Sequence, residues 1–307
     1  MKNLIGMFPG QGSQSVGMGK QLFESNDTSR ALFEKADATL GFSLSSLCFD
    51  GPIEELTLTK HAQPAILTAS YAAYLASGIV PKAAAGHSLG EYSALVAAGV
   101  LSFDDAVSLV HKRGTYMQEA VAPGEGKMLA VMGLSEEEIL SAIAELENNR
   151  TEIANLNCPG QTVVAGSADA IDQFTELLKQ KGAKAIPLNV SAPFHCSLMQ
   201  PAADSLSKDL EATTFNEPSF PIYANVTAGK IANGESARDL LLQQVTGSVR
   251  WTDSMQNMIK EQSADSSIEY GAGGVLSKLL KRIDKSLERL DAFDQDSIAK
   301  AKATLEA

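Results

Sequence analysis

The sequence predicts an α/β protein in which a ferredoxin-like subdomain is inserted into a larger α/β domain. Strand patterns alternate with helix patterns at both ends of the 307-residue chain, and the order β-α-β-β-α-β lies between them. Aromatic residues make up only 6% of the chain while Ala, Leu and Val are abundant, which suits this class. The large domain is expected to comprise residues 1–125 and 191–307, and the subdomain residues 126–190.

The elements of the large domain follow from apolar runs and their stop signals. A buried strand precedes Pro9, and a buried helix ends at Gly78. An amphipathic helix has Ser102 or Asp104 as its N-cap. In chain order, the predicted elements are a strand at 3–8, helices at 62–77 and 104–121, a strand at 220–226, a helix near 236–245, a strand and loop at 267–274, and a helix from Val275.

Inside the insertion, period-two and period-3.6 patterns alternate. A capped helix begins at Ser135, and the dipeptide Pro159-Gly160 separates two strands. The predicted elements are a strand at 127–134, a helix at 135–148, strands at 152–157 and 161–166, a helix at 167–182 and a strand at 183–190.

Composition excludes several classes of protein. The net charge of −12 argues against a broad basic face for nucleic acid and leaves room only for a local basic docking patch. The apolar run before Pro9 is shorter than a signal-peptide core of about 7–15 residues, and no segment approaches the ~20 apolar residues of a membrane span. Cys48, Cys158 and Cys196 lie far apart, so neither a disulfide framework nor a zinc site is indicated. We expect a soluble, reduced, cytoplasmic protein with no nucleic-acid or membrane partner.

The glycine-rich loop "PGQGSQSVGMG" at 9–19 does not fit a nucleotide site. A G-x-G-x-x-G run from Gly10 would need glycine at position 15, where Ser15 stands. The Gly19-Lys20 pair lacks the Ser or Thr that follows it in a P-loop. What remains is a loop with free backbone N–H groups near a strand end.

The run "GHSLG" at 86–90 matches the G-x-S-x-G nucleophile elbow, with a predicted strand before it and a helix after it. Glycines tolerate the sharp turn, and the helix N-terminus directs N–H groups at charge that develops beside Ser88. An ordinary tight turn with a serine cap is the alternative. The strand–turn–helix context favours a catalytic Ser88.

A serine nucleophile needs a base, and the chain has four histidines. His87 adjoins Ser88 but projects away from it, and His61 has no distinguishing context. His111 lies opposite the apolar face of its helix, so we expect it to be solvated. His195 follows a strand end in "NVSAPFHCSLM", and elimination selects it as the base.

Arg113 lies in the middle of the apolar face of the helix at 104–121, between Leu109 and Met117. An arginine there is costly unless it is paired or faces a cavity that receives an anion. It either forms a buried ion pair with an acidic residue or binds a substrate carboxylate in bidentate fashion. The sequence leaves both interpretations open.

Five motifs occur along the chain in a fixed order. They are "FPGQGSQ" at 8–14, "GHSLGEYSAL" at 86–95, "RG" with "MQEA" at 113–120, "NCPGQTVVAG" at 157–166 and "SAPFHCSLM" at 191–199. Together they resemble the malonyl-CoA:acyl carrier protein transacylase family, and the acyltransferase domains of polyketide synthases are similar to it. The likeness continues through "VRWTDSM" near 249–255 to "GVLSKLLKRI", so it spans essentially the whole chain.

The resemblance implies an α/β-hydrolase-like large domain and roles for individual residues. Ser88 would be acylated, with His195 as its base, and Arg113 would hold the malonyl carboxylate. The backbone N–H groups of Gln11 and Leu89 would form the oxyanion hole. A backbone carbonyl orients the histidine in this family, and Gln244 in "LLQQVTG" matches that position, with the adjacent Gln243 as the other register.

The resemblance also implies the reaction and its partners. The malonyl group of malonyl-CoA would pass through Ser88 to the phosphopantetheine thiol of acyl carrier protein, in fatty acid biosynthesis. No metal or bound cofactor is expected, because malonyl-CoA is a substrate and the phosphopantetheine belongs to the carrier. We expect a monomer. A basic stripe of Lys278, Lys281, Arg282 and Lys285 is a candidate for docking the carrier, although the sequence favours a solvated face of an amphipathic helix.

Three alternatives remain at this stage. A serine esterase or thioesterase would use the same elbow without a special need for Arg113. A non-catalytic module that binds carrier protein would not need Ser88 and His195. A free-standing acyltransferase that serves a polyketide synthase would share every motif.

Overall fold

The computed structural model describes residues 2–146 and 150–307, and this part of the chain forms two β-sheets with helices packed around them. The strands are β1 (Leu4–Phe8), β2 (Ala83–Gly86), β3 (Gly126–Met132), β4 (Thr151–Cys158), β5 (Gln161–Ser167), β6 (Lys184–Pro187), β7 (Ile222–Tyr223), β8 (Ser266–Tyr270) and β9 (Glu288–Ala292).

The helices lie around the two sheets and against one another. They are α1 (Lys20–Ser25), α2 (Asp27–Leu40), α3 (Leu44–Asp50), α4 (Ile53–Thr57), α5 (Thr59–Ser77), α6 (Leu89–Ala97), α7 (Phe103–Glu119), α8 (Glu136–Ala144), α9 (Ala168–Gln180), α10 (Gln200–Glu211), α11 (Gly234–Thr246), α12 (Trp251–Gln262), α13 (Val275–Ile283) and α14 (Gln295–Glu306).

The larger sheet is parallel, with strand order β7-β2-β1-β8-β9. The central strand β1 is buried along its whole length, as a parallel strand covered on both faces must be. β1 and β2 end side by side, since Phe8 pairs with Gly86. The glycine-rich loop and the "GHSLG" turn therefore leave the sheet at the same edge, where ligands bind in open α/β sheets.

The smaller sheet is antiparallel, with strand order β4-β5-β3-β6, which is the order of a ferredoxin-like unit. All four strands lie within residues 126–190. Strand β4 is also joined to the other part of the protein, because Leu156 N donates to Val249 O and Val249 N donates to Ala154 O. The predicted fold class is confirmed, and the domain boundaries stay predictions.

Element ends differ from the sequence predictions by a few residues. The helix at 104–121 runs from Phe103 to Glu119, and Ser102 is its N-cap, accepting from Asp105 N. In the segment 220–226 only Ile222 and Tyr223 pair as a strand. The last residues of the helix predicted at 135–148 lie outside the described residues. The sequence analysis did not identify α1–α4, α10, α12, α14 or β9.

The core that positions the site lies where α6 packs on β1 and β2, and where α5 and α7 pack on each other and on α6. Helices α5 and α7 approach closely at Gly114, where a Cβ atom would lie 2.6 Å from Thr59 O. This close approach brings Arg113 of α7 and Gln63 of α5 within hydrogen-bonding distance of each other. Within the two described segments, no helix combines the length and the hydropathy needed to cross a bilayer.

Replacing Gly114 with Ala is expected to destabilise the protein, because the new methyl group would meet backbone atoms at 2.6–2.9 Å. Overpacking of this kind costs about 1–3 kcal/mol, more than the helix propensity that Ala adds. The measurement is the urea midpoint of unfolding. Gly229→Ala is the control, since its nearest neighbouring atom lies 3.8 Å away. Equal midpoints for the two variants would contradict the close-approach argument.

Candidate active site

Ser88 occupies the turn between β2 and α6 with a left-handed backbone, φ 52°. A non-glycine residue at positive φ is uncommon, and its strain is tolerated where the surroundings hold it in place. The two flanking positions must be glycine, because a side chain there would overlap neighbouring backbone atoms. A Cβ atom on Gly86 would lie 1.8 Å from the Gly90 carbonyl, and one on Gly90 would lie 2.0 Å from Phe8 O. The "GHSLG" spacing thus allows strand, turn and helix to pack directly against one another.

Asn225, just after β7, stabilises this turn through two hydrogen bonds. Its side chain accepts from Ser88 N (2.7 Å) and donates to Gly86 O (2.7 Å), so one amide bridges both sides of the elbow. Asn225 is fully buried, where unpaired polar groups are costly. The amide therefore holds the strained turn in one geometry.

The Ser88 hydroxyl lies against His195. Ser88 Oγ is 2.7 Å from Nε2 of His195, and Nδ1 of the same ring lies 2.8 Å from the backbone oxygen of Gln244. A carbonyl can only accept, so Nδ1 carries the ring proton and Nε2 is free to accept from the serine hydroxyl. Of the two sequence registers, it is Gln244 whose carbonyl faces the ring.

His195 is 4% exposed and also has a left-handed backbone, φ 60°. Burial, together with the nearby charge of Arg113, lowers the pKa of His195 to about 3. The ring is therefore neutral near pH 7 and available to take a proton. This protonation state is the one that a general base needs.

Arg113 is 1% exposed and its guanidinium reaches the Ser88 hydroxyl. Nη2 donates to Ser88 Oγ (3.2 Å) and to Gln244 Oε1 (2.9 Å), and Nη1 donates to Gln63 Oε1 (2.8 Å). The guanidinium carbon lies 5.5 Å from the centre of the Tyr92 ring. All these partners are neutral, so within the described chain Arg113 has no carboxylate in a direct ion pair.

Gln244 connects the site residues. Its side-chain amide accepts from Arg113 and donates to Ser88 O (3.0 Å) and to Glu91 Oε2 (2.8 Å), while its backbone carbonyl faces His195. Arginine can only donate and an ionised carboxylate can only accept, so these two neighbours fix which way the amide points. A single residue thus sets the positions of the serine, the histidine and the arginine relative to one another.

Gln11 and Leu89 line the same cleft as Ser88, His195 and Arg113. Leu89 is the first residue of α6, where backbone N–H groups have no partner within the helix. Gln11 belongs to the glycine-rich loop beside β1, and its side chain donates to Thr59 Oγ1 (3.2 Å). Both residues line the cleft that contains Ser88, so the predicted oxyanion-hole residues lie at the candidate site.

The cleft has a volume of about 300 Å³ and opens between the two sheets. Gln11, Ser88 and Arg113 line it from the larger part, and Met128 and Asn155 line it from the strands of the smaller sheet. It holds a neutral imidazole, a hydroxyl in contact with it, and a buried cation. The arrangement can activate the hydroxyl as a nucleophile and bind an anionic acyl group beside it.

The other three histidines lie away from the Ser88 hydroxyl. His87 contacts Asn157 Oδ1 through Nε2 (2.8 Å) and packs on Trp251, as its projection away from Ser88 predicts. His61 Nδ1 lies 3.0 Å from Glu55 O. The expectation for His111 is wrong: its ring is half-buried against Phe42 and bonded to Lys60 O (2.8 Å), because α5 packs against the side of α7 that we expected to face water.

Sequence analysis did not identify Gln63, Glu91 and Asn225 as residues of the site. The position of Glu91 could have identified it from the sequence, since an acid three residues after the elbow serine falls in the first turn of the helix that follows. Gln63 and Asn225 carry no local signal. They reach the site only because α5 and the end of β7 are brought to the elbow by the tertiary fold.

Comparison with known proteins places the chain among relatives with the same motifs. A family model described as the acyl transferase domain matches residues 7–296. The chain belongs to the acyl transferase family. A malonyl CoA-acyl carrier protein transacylase of Bacillus subtilis (strain 168) is 46% identical over 312 residues, with 99% of this chain and 98% of the relative covered. The resemblance to malonyl-CoA:acyl carrier protein transacylases is thereby confirmed.

Solved structures of family members superpose closely on the protein. An acyl carrier protein S-malonyltransferase from Vibrio cholerae O1 biovar eltor str. N16961 is 42% identical, with a TM-score of 0.94 and 97% of this chain and 99% of that chain covered. A malonyl-transacylase in complex with its type II PKS acyl-carrier protein is 41% identical, with a TM-score of 0.94 and coverage of 98% and 99%.

Proposed function

We propose that the protein transfers the malonyl group of malonyl-CoA to the phosphopantetheine thiol of acyl carrier protein through a malonyl-Ser88 intermediate. The observation that carries this proposal is the position of Arg113. Its guanidinium lies 3.2 Å from Ser88 Oγ, which in turn lies 2.7 Å from the neutral His195 ring. A nucleophile beside a buried cation fits an acyl group that ends in a carboxylate.

In the first half-reaction, Ser88 Oγ attacks the thioester carbon while His195 Nε2 takes the hydroxyl proton. The C–S bond then breaks, and the proton on Nε2 passes to the sulfur of departing coenzyme A. The negative charge on the carbonyl oxygen would be met by the N–H groups of Gln11 and Leu89. Throughout this step the Gln244 carbonyl stabilises the charge that forms on the ring, since it accepts from Nδ1.

In the second half-reaction, the thiol of the carrier's phosphopantetheine arm gives its proton to His195 and attacks the ester carbon. The ester bond to Ser88 breaks and Oγ regains the proton. Water must lose to the thiol in this step, and a cleft of about 300 Å³ filled by the acyl group and the arm supports that outcome.

The proposal extends to the use of the product, the location of the protein and its oligomeric state. The malonyl-carrier product serves chain elongation in fatty acid biosynthesis. The three cysteines are free and buried, which is in keeping with a cytoplasmic protein. The reaction as written needs no metal or bound cofactor, and a monomer suffices because Ser88, His195, Gln244 and Arg113 all come from one chain.

Ser88→Ala is expected to abolish the malonyl adduct that the wild-type protein forms with malonyl-CoA in the absence of carrier. The measurement is intact-protein mass spectrometry, with Ser93→Ala, a buried serine in the same helix, as the matched control. An adduct at normal stoichiometry in Ser88→Ala would refute the nucleophile assignment. An adduct on the wild type that is lost rapidly to water would instead indicate a thioesterase.

Arg113→Ala is expected to lower kcat/KM for malonyl-CoA by about 10–100-fold, the effect of losing a charge-assisted pair of about 1.5–3 kcal/mol. Acetyl-CoA has no carboxylate, so its kcat/KM should hold steady or rise. The measured quantity is the malonyl-to-acetyl ratio, with folding checked by circular dichroism. Lys112→Ala, which removes an exposed cation from the same helix, should leave the ratio unchanged. Equal losses on both substrates would make Arg113 a structural residue.

The basic stripe lies on a helix that begins beside the site loop. Lys278, Lys281 and Arg282 are exposed on α13, and Lys285 is exposed in the turn after it. The loop before α13 packs on the glycine-rich loop, since a Cβ atom on Gly273 would lie 3.2 Å from Ser13 Cβ. We therefore include this helix in the proposal as the surface that docks the acidic carrier.

Charge reversal at Lys281 and Arg282 is expected to raise the KM for carrier protein and leave the KM for malonyl-CoA unchanged, with the effect reduced at high salt. Because Arg282 also donates to Pro159 O (2.8 Å), Lys281→Glu is measured alone as well. The matched control reverses Lys300 and Lys302, two exposed cations on α14. The docking role is refuted when both KM values change equally, or when the control pair has the same effect.

A further inference from the structure

The charge of Arg113 has to be balanced when no substrate is present. The guanidinium is 1% exposed, and its hydrogen bonds within the described chain end on Gln63, Ser88 and Gln244, which are all neutral. A buried cation without a counter-charge is strongly unfavourable. A negative charge nearby in the fold would offset this cost between turnovers.

Glu91 is a buried acid connected to Arg113 through one amide. Its Oε2 atom accepts from Gln244 Nε2 (2.8 Å), and the oxygen of that same amide accepts from Arg113 Nη2 (2.9 Å). Oε2 also accepts from Asn225 N (3.0 Å). The whole side chain is 0% exposed, and the mechanism above gives it no role.

The second carboxyl oxygen of Glu91 is free. Oε1 is buried and has no hydrogen-bond partner among the described residues. A proton could add to Oε1 without breaking either bond on Oε2. Glu91 can thus exist as a carboxylate or as a carboxylic acid while Gln244 and Asn225 stay in place.

Among the described residues, few charged or titratable groups act on Glu91. Arg113 approaches from α7 and favours the ionised form, and Tyr92 adjoins Glu91 on α6. Arg113 and His87 in turn act on His195. His195 is neutral, and burial also lowers the pKa of His87. Burial raises the pKa of Glu91 to about 7, against the opposing effects of Asn225, Gln244 and Arg113. Its charge state can therefore change near physiological pH.

We propose that Glu91 is the resting counter-charge of Arg113, acting through the Gln244 amide, and that it takes up one proton when a substrate carboxylate binds to Arg113. With the substrate bound, two carboxylates would face one buried cation, and the proton on Glu91 removes the second negative charge. Glu91 is then a positioning residue that makes the arginine site fit acyl groups ending in a carboxylate. The inference rests on the proposed malonyl transfer, because it needs an anionic acyl group at Arg113.

The coupling has a definite sign. A ligand whose binding adds a proton to the protein binds more weakly as the pH rises. Below about pH 6 Glu91 is already protonated and affinity for malonyl-CoA is flat. Above about pH 7 the dissociation constant for malonyl-CoA rises, by up to about tenfold per pH unit. Acetyl-CoA carries the same coenzyme A phosphates and no carboxylate, so it reports every other effect of pH.

The test measures binding of malonyl-CoA and acetyl-CoA by calorimetry in the Ser88→Ala background, which prevents transfer. At pH 8, in buffers of different ionisation enthalpy, malonyl-CoA is expected to bring about one more proton into the protein than acetyl-CoA does. Adding Glu91→Gln, which keeps the acceptor for Gln244 and Asn225 but no longer ionises, should abolish that excess and flatten the pH dependence. Glu269→Gln is the matched control, since Glu269 is also a fully buried acid but bonds to the start of α13.

Two results overturn the inference. The first is equal proton uptake with malonyl-CoA and acetyl-CoA. The second is an excess uptake with malonyl-CoA that persists in Glu91→Gln, which would mean that another group, such as His195, takes up the proton. If Glu91→Gln does not fold, the inference is tested by infrared spectroscopy on the protein that keeps Glu91. The infrared difference spectrum on binding malonyl-CoA should gain a carboxylic acid C=O band, which imidazole protonation cannot produce. Failure of the proposed function gives a different result, namely no malonyl adduct on Ser88 in the wild-type chain.

Discussion

A buried guanidinium without a direct carboxylate partner is the constraint around which the site is organised. Arg113 is 1% exposed on a helix face that is otherwise apolar, so its charge needs hydrogen-bond acceptors from neighbouring elements. Gln63 and Gln244 present their amide oxygens, and the Ser88 hydroxyl lies within hydrogen-bonding distance. The same charge helps to keep the neighbouring imidazole neutral, because it opposes protonation of His195.

Because its hydrogen-bond partners are neutral, the Arg113 guanidinium can still pair with an anion. A carboxylate in direct contact with Arg113 would stabilise the resting protein and would compete with any anionic substrate. Two amide oxygens satisfy the guanidinium without occupying it fully, and the acid is one residue further away, on the other side of Gln244. The geometry therefore separates the stability of the buried charge from the carboxylate binding that we propose for it.

The sequence pointed to the residues that we expect to react or to bind substrate. It did not point to most of the residues that hold them in position. Ser88, His195 and Arg113 could be selected because local context marks them: an elbow motif, elimination among four histidines, and a cation on an apolar helix face. Gln63 and Asn225 could not be selected, because a buried amide has no local signature and becomes part of the site only through contacts with distant residues. The wrong expectation for the exposure of His111 has the same origin, since its partner Lys60 on α5 lies 51 residues away in the chain.

By itself the sequence determined the elements with strong periodicity, the two-sheet α/β class, and the strand–turn–helix that carries Ser88, because these depend on neighbours within one or two turns of chain. The tertiary structure decided which oxygen faces His195, how the charge of Arg113 is met, and which groups hold the elbow. Those outcomes depend on segments 25 to 156 residues apart, joined by close packing at Gly86, Gly90 and Gly114. Hydrogen-bond geometry is set to tenths of an ångström, and only the packed fold fixes positions that finely.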